Sequence, residues 1–364
     1  MRRWLTLLTA LAIVACGARA LTQTAATRPL KVLLLYDMEG ASTITELNQT
    51  RFAYPEPYRH GREGLTSDVN AAIAGLTAAG VTDIVVVDGH ASSNANEPDV
   101  FEDRLLAPAK MISRDGPFDI YAESYDHSFD AVVAVGMHAG AGNRSGFVSH
   151  TYTGVVADYR VNGVPFNESM VLAVNAARLK IPVIMISGDD QLEREVRRNL
   201  PWVEYAVVKH AVERSKAEPL EPGLASRRIE AAVRAAVGKL ASTPSLPQVA
   251  APCRFAITFQ DDAQARNAAL LPGAELLPGS ATVQFRTNDF EEGYNLSWRM
   301  LALAGSIARQ TLLQAVMDGA PDAAVLRQRM FDWNGERFLG RISPPAAPPA
   351  GVPPGSRQRY WGAR

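Results

Sequence analysis

KVLLLYDMEG, residues 31–40, is the stretch from which the fold of this chain is read. Lys31–Tyr36 is an apolar run of strand length with no alternation of polar positions, so it is expected to be a strand buried on both faces. Such strands belong to parallel sheets with helices on either side. The run ends in two carboxylates, Asp37 and Glu39. Residues two apart on an extended chain point the same way, so both can face one ion. Gly40 then lets the backbone turn tightly beside a bound group.

Outward from this segment the same design recurs twice. DIVVV (Asp83–Val87) runs into Asp88, Gly89 and His90, and AVVAV (Ala131–Val135) runs into Gly136, Met137, His138, Ala139 and Gly140. In open α/β sheets, ligands bind beyond the carboxyl ends of the strands, so three such ends are expected to share one crevice. Imidazole nitrogen and carboxylate oxygen suit zinc, and two histidines with three carboxylates suffice for two ions if one carboxylate bridges. Taken singly, each motif has a plainer reading: a strand-end carboxylate often caps the next helix, and a histidine in a Gly-rich turn is often only hydrogen-bonded. The coincidence at three successive buried strands favours a metal site.

Helices are predicted at Arg62–Ala79 and Phe166–Leu179, and a third is opened by Gly188, Asp189 and Asp190 and runs to about Asn199. Further strands are read at Pro182–Ile186 and Glu204–Val208. The fold class is therefore α/β, a mostly parallel sheet covered by helices over residues 30–241, carrying the metal-binding residues. A Pro-, Ser- and Ala-rich linker at Ser242–Pro252 precedes a smaller mixed α/β unit over 253–318. That unit is read as the strand Cys253–Phe259, a helix near Asp262–Ala269, the strand Ala281–Thr287 and a long helix from Phe290 to Met317. Residues 343–364 form a Pro-rich tail, extended or disordered by composition.

The 364 residues are 47% hydrophobic and 21% charged with a net charge of −1, a globular profile without the basic stripe of a nucleic-acid partner. The two cysteines, Cys16 and Cys253, build no disulfide framework, so any metal falls to His and carboxylates. Residues 1–20 read as an export signal: Arg2 and Arg3 form the positive start, and Trp4–Ala15 is an apolar core too short to span a bilayer. Two endings are open. Ile13-Val14-Ala15-Cys16 resembles a lipobox that would anchor the chain through Cys16, and Ala18-Arg19-Ala20 suits ordinary cleavage. The expected location is periplasmic or membrane-anchored.

Other polar residues are read more plainly. His150, beyond the third strand on a Gly-rich loop, is either a general base or proton relay near the metals or a structural histidine. Glu168, at the start of a helix, is by itself a first-turn carboxylate favoured by the helix dipole. Asp88 either orients a ligand histidine or caps the following turn. Asp189 and Asp190 are helix caps. Lys209 and Arg214 are assigned to structural or solvated pairing, with a substrate carboxylate as the other possibility. His60, His127 and His210 are given no role.

Taken together, the motifs resemble the zinc D-aminopeptidases of the dipeptide-transport-operon type. YDMEG (Tyr36–Gly40), VDGHAS (Val87–Ser92), GMHA (Gly136–Ala139) and GFVSHTYTG (Gly146–Gly154) carry the likeness. GVPFNE (Gly163–Glu168), ISGDD (Ile186–Asp190), VKHAVERSKA (Val208–Ala217) and ATVQFRTNDFEEGY (Ala281–Tyr294) extend it across roughly residues 30–318. The resemblance implies two Zn2+ per subunit held by Asp37, Glu39, His90, His138 and Glu168, with Asp37 bridging and His150 as the catalytic group. It further implies release of N-terminal D-amino acids such as D-Ala from short peptides, and a ring-shaped homo-oligomer. The leader departs from the family pattern, whose members are cytoplasmic. Two rival classes remain beside this one: an exported small-ligand binding protein without catalysis, and another binuclear metallohydrolase. Metal content and a substrate screen separate them.

Overall fold

The computed structural model describes residues 28–90, 97–114, 118–245, 249–339 and 341. The leader with Cys16 and the Pro-rich tail lie outside the described residues. In chain order the elements are β1 (Lys31–Tyr36), α1 (Pro55–Ala78), β2 (Asp83–Asp88), β3 (Lys110–Met111), β4 (Ala131–Met137), β5 (Val156–Val161) and β6 (Val164–Pro165). There follow α2 (Glu168–Arg178), β7 (Val183–Asp189), α3 (Asp190–Asn199), β8 (Glu204–Glu213), β9 (Lys216–Pro219) and α4 (Leu224–Lys239). After the linker come β10 (Cys253–Phe259), α5 (Asp262–Ala268), β11 (Glu275–Leu276), β12 (Thr282–Thr287), α6 (Phe290–Gly319) and α7 (Ala323–Phe338).

The first sheet has the order β3-β2-β1-β4-β7-β8-β9 and is parallel except for the β8–β9 edge pair. Its central strands β1, β4 and β7 are buried on both faces, as the apolar runs require. Along β1, Leu33 and Leu35 join one core, and Val32, Leu34 and Tyr36 join the other. Each fully buried side chain of this size contributes about 2 kcal/mol to folding. Helices α1 and α4 cover one face through Leu65, Val69, Ile73, Ile229 and Val233. Helices α2 and α3 serve the other through Met170, Val171, Leu192 and Val196. Strand order reverses direction on either side of β1, which puts a topological switch point between β1 and β4.

The second sheet is antiparallel, with the order β11-β12-β10-β5-β6. Two of its strands come from within residues 30–241, so the C-terminal stretch completes its sheet with a hairpin inserted between β4 and α2. The hairpin turns at Asn162 and Gly163, both at positive φ (51° and 82°), the backbone that a two-residue hairpin turn demands. Tyr159, Phe255, Ile257, Val283 and Phe285 point inward, while Arg160, Arg254 and Arg286 alternate to the outside. Helix α6 lies against this sheet, and Gly293 sits where any Cβ would fall 1.9 Å from the Phe255 ring.

Several boundaries differ from the sequence reading. Helix α1 begins at Pro55 rather than Arg62, since a proline is tolerated in the first turn. Helix α2 begins at Glu168 because Asn167 caps it, accepting a bond from the Met170 N–H. Strand β8 runs on to Glu213 to pair with β9. The hairpin β5–β6 and the helices α4 and α7 were not among the predicted elements.

Candidate metal centre

The ends of β1 and β4 are drawn together by their backbones. The Asp37 N–H donates to Val135 O (2.8 Å), and the Gly40 N–H donates to Gly136 O (2.7 Å). This approach needs two glycines. A Cβ on Gly40 would lie 1.8 Å from Met137 O, and one on Gly136, which has a φ of +75°, would lie 2.1 Å from Asp37 O. Asp37, Glu39 and His138 thereby come to one place, with a ligand-type atom from each within 4.8 Å of the others. His138 Nε2 lies 3.2 Å from Asp37 Oδ2 and 3.7 Å from Glu168 Oε1. At the end of β2, His90 Nε2 lies 3.2 Å from Glu39 Oε1. All five residues predicted to hold metal thus lie in one cluster, contributed by the ends of β1, β2 and β4 and the first residue of α2.

The imidazole tautomers make the cluster fit a cation. Nδ1 of His138 donates to Ala139 O (3.0 Å), and Nδ1 of His150 donates to Val148 O (2.9 Å). A carbonyl only accepts, so in each neutral ring Nε2 carries the lone pair. His90 is held the same way: its Nδ1 lies 2.8 Å from Asp99 Oδ2, a carboxylate behind the imidazole as behind many metal-binding histidines. The Nε2 atoms of His90 and His138 therefore face carboxylate oxygens. His138 Nε2 and Glu39 Oε2 are buried without a hydrogen-bond partner among the described residues. Lone pairs confronting lone pairs in a buried site call for a positive charge between them.

Electrostatics say the same. Burial, and then the neighbouring Glu39 carboxylate, push Asp37 up to about 8. Burial alone would depress the two imidazoles, but Glu39 and Asp99 carry His90 well above its usual value, and Glu168 and Asp37 do so for His138. The carboxylates thus draw cationic charge onto Nε2, the position a metal ion would take in exchange for a proton.

Glu168 is more than a first-turn carboxylate. It is buried, and its Oε1 accepts from the Tyr152 N–H (2.6 Å) while its Oε2 accepts from the Tyr121 hydroxyl. His150 stacks on His138 with ring centroids 4.0 Å apart and planes 10° from parallel. Its Nε2 is 3.9 Å from Glu168 Oε1, and with His138 and Glu168 it forms a second group of ligand-type atoms. Burial and then the His138 charge lower its pKa, which keeps the ring neutral and able to take a proton.

Asp88 is the turn cap of its two readings: its Oδ1 accepts from the His90 N–H (3.0 Å) and its Oδ2 from the Asp99 N–H (2.8 Å). The residue behind the His90 ring is Asp99, which no spacing in the sequence indicated. Among the described residues, Lys209 forms no ion pair with a carboxylate side chain. It is fully buried, and its Nζ donates to the carbonyl oxygens of Glu39, Ala41 (3.0 Å) and Ile44 (2.6 Å), clamping the loop that carries Glu39. Asp68 holds the same loop from α1 through the Ser42 N–H (2.7 Å) and hydroxyl (2.8 Å). Asp189 caps α3, and Asp190 accepts from the Ala211 N–H (3.0 Å). His60, His127 and His210 are exposed, away from the cluster.

Two cavities meet at this cluster, and His90 and His150 line both. The outer one, of about 690 Å³, is bounded by Arg51, Arg214, Glu213 and Glu39. The inner one, of about 160 Å³, is walled by Phe118, Tyr121, Tyr152 and Trp298, with Asp119 and Glu168 on its polar side. Trp298 arrives from α6, so the second unit supplies part of the wall. Asp119, Tyr121 and Trp298 carried no signal in the sequence, since a single aromatic or carboxylate outside a motif reads as core or surface, and Tyr152 lay in the GFVSHTYTG motif without a role of its own.

A family model described as peptidase M55, D-aminopeptidase, matches residues 30–298. A curated D-aminopeptidase of Bacillus subtilis (strain 168) is 30% identical over 276 residues, covering 76% of this chain and 98% of that protein. Among solved structures, the Zn-dependent D-aminopeptidase DppA of Bacillus subtilis, described as a self-compartmentalizing protease, superimposes with a TM-score of 0.69 at 28% identity. The likeness covers 76% of this chain and 98% of that one.

Proposed function

This chain belongs to the M55 D-aminopeptidase family and is a peptidase, and from that premise we propose that it releases N-terminal D-amino acids such as D-Ala from short peptides with two zinc ions per subunit. The reading rests above all on one observation, the Nε2 atoms of His90 and His138 fixed by their Nδ1 bonds and turned onto carboxylate oxygens. Glu39 with His90 would serve one ion and Glu168 with His138 the other. Asp37, near both Glu39 and His138, is the carboxylate suited to bridge them. Zinc held there supplies Lewis acidity and a water-derived nucleophile near neutral pH.

The chain's own residues do the rest. Asp99 keeps the His90 ring in place, and Tyr121 and the Tyr152 N–H hold Glu168. His150, kept neutral and standing where the two cavities meet, takes the proton released on hydrolysis and returns it to the leaving amine. The inner cavity surrounds the reacting end of the peptide with the rings of Phe118, Tyr121, Tyr152 and Trp298.

With residues 1–20 read as an export leader, the peptides met there would be fragments of cell-wall turnover, and Cys16 would be the point of any lipid anchor. A homo-oligomeric ring is proposed on the strength of the self-compartmentalizing relative. Capture of a small ligand without chemistry has no support from the family.

The test is metal analysis of purified protein alongside hydrolysis of D- and L-dipeptides. Two equivalents of zinc with D-selective release are expected. A zinc-free protein, with no hydrolysis of D-Ala-D-Ala after zinc is added, sinks the reading.

A further inference from the structure

The two cavities differ in charge. Asp119 faces the inner one beside His90 and His150, and with Asp37 and Glu168 on the same wall given to the metals it is the carboxylate placed to meet the amino-terminal end of a substrate. Arg51 and Arg214 face the outer one, opposed by Glu39 of the metal cluster and by Glu213. A short peptide is a zwitterion with the same polarity.

Of the two arginines, Arg214 is the fixed one. Its carbonyl accepts from the Val148 N–H (2.8 Å), and its Nη2 donates to Ser149 O (2.8 Å), one residue from His150. A guanidinium carries five N–H donors, and for Arg214 this is the only side-chain bond among the described residues. No carboxylate among them forms an ion pair with it. Neighbouring Glu213 instead accepts from the Ser215 hydroxyl (2.8 Å). The side chain is half-buried on the cavity wall, so its remaining donors present the planar fork that matches a carboxylate.

We propose that Arg214 binds the free C-terminal carboxylate of the peptide and so sets the preference for short substrates. The inference rests on the D-aminopeptidase reading above. The amino-terminal residue then sits in the small inner cavity, the scissile bond lies at the metal cluster, and the leaving residue points outward to Arg214. Arg51, exposed on the same cavity, adds attraction without fixing geometry.

The experiment compares D-Ala-D-Ala with its C-terminal amide, using the zinc-loaded full-length enzyme. Wild type is expected to favour the acid by about ten-fold or more in kcat/KM, the scale of one charge-assisted pair. Arg214→Met should abolish that preference, mainly by raising KM for the acid, and Arg214→Lys should retain part of it. A loss shared equally by acid and amide in Arg214→Met, or a wild type indifferent to amidation, overturns the proposal while leaving the peptidase activity standing. Failure of wild type to cleave either compound overturns both.

Discussion

At His150 burial and two neighbours fix the protonation state. Val148 O claims the proton on Nδ1, and the His138 ring stacked at 4.0 Å discourages a second one. With its pKa lowered below 6.5, the ring is neutral at pH 7 and gains a charge only as pH falls through that depressed value. The acid limb of kcat should therefore lie below pH 6.5. His150→Ala should reduce kcat by about a hundred-fold or more while zinc stays bound, and the acid limb should vanish with it. Rates and zinc content measured together across pH check this. Activity near wild type with zinc bound would remove His150 from the mechanism, and loss of zinc would make it a ligand.

At the level of elements, the site depends on a loop clamped from two sides. Lys209 of β8 holds three carbonyls of residues 39–44, and Asp68 of α1 holds Ser42 between them. Lys209→Met would leave those carbonyls buried without donors, a loss of about 3 kcal/mol or more in unfolding free energy. Because Glu39 rides on this loop, zinc affinity should fall as well, as read by urea denaturation and by competition with a chromophoric chelator. Unchanged values in both would mean the loop holds its shape without the clamp. The sequence placed Lys209 in a motif but not its role, since its acceptors lie about 170 residues away. For the hairpin β5–β6 the signal was present: Val156, Tyr159 and Val161 are buried around exposed Arg160, and the Asn162-Gly163 pair marks the turn. Helix α4 likewise shows Ala225, Ile229, Val233 and Ala236 on one buried face.

For the whole molecule, the candidate metal cluster joins the ends of three hydrogen-bonded strands to the first residue of one helix. Binding to the folded state alone stabilises it by about 4 kcal/mol when free zinc exceeds its Kd a thousand-fold. Chelation should therefore lower Tm, and zinc should restore it in a concentration-dependent way, seen by differential scanning calorimetry. A Tm indifferent to chelator, with zinc shown to be gone, would argue that the cluster is built without metal. No helix among the described residues is long and apolar enough to cross a membrane.

Asp37, Glu39, His90 and His138 were legible in the sequence because strand burial is a local pattern and the sheet rule carries strand ends to a common crevice. Glu168 was not legible from its pattern, since a carboxylate opening a helix has an ordinary explanation, and it entered through family resemblance. Asp99, Tyr121, Trp298 and the exposure of Arg214 to the outer cavity were decided by tertiary structure alone. They reach the site from separate elements whose approach depends on the packing of two sheets, and no short-range periodicity records that contact.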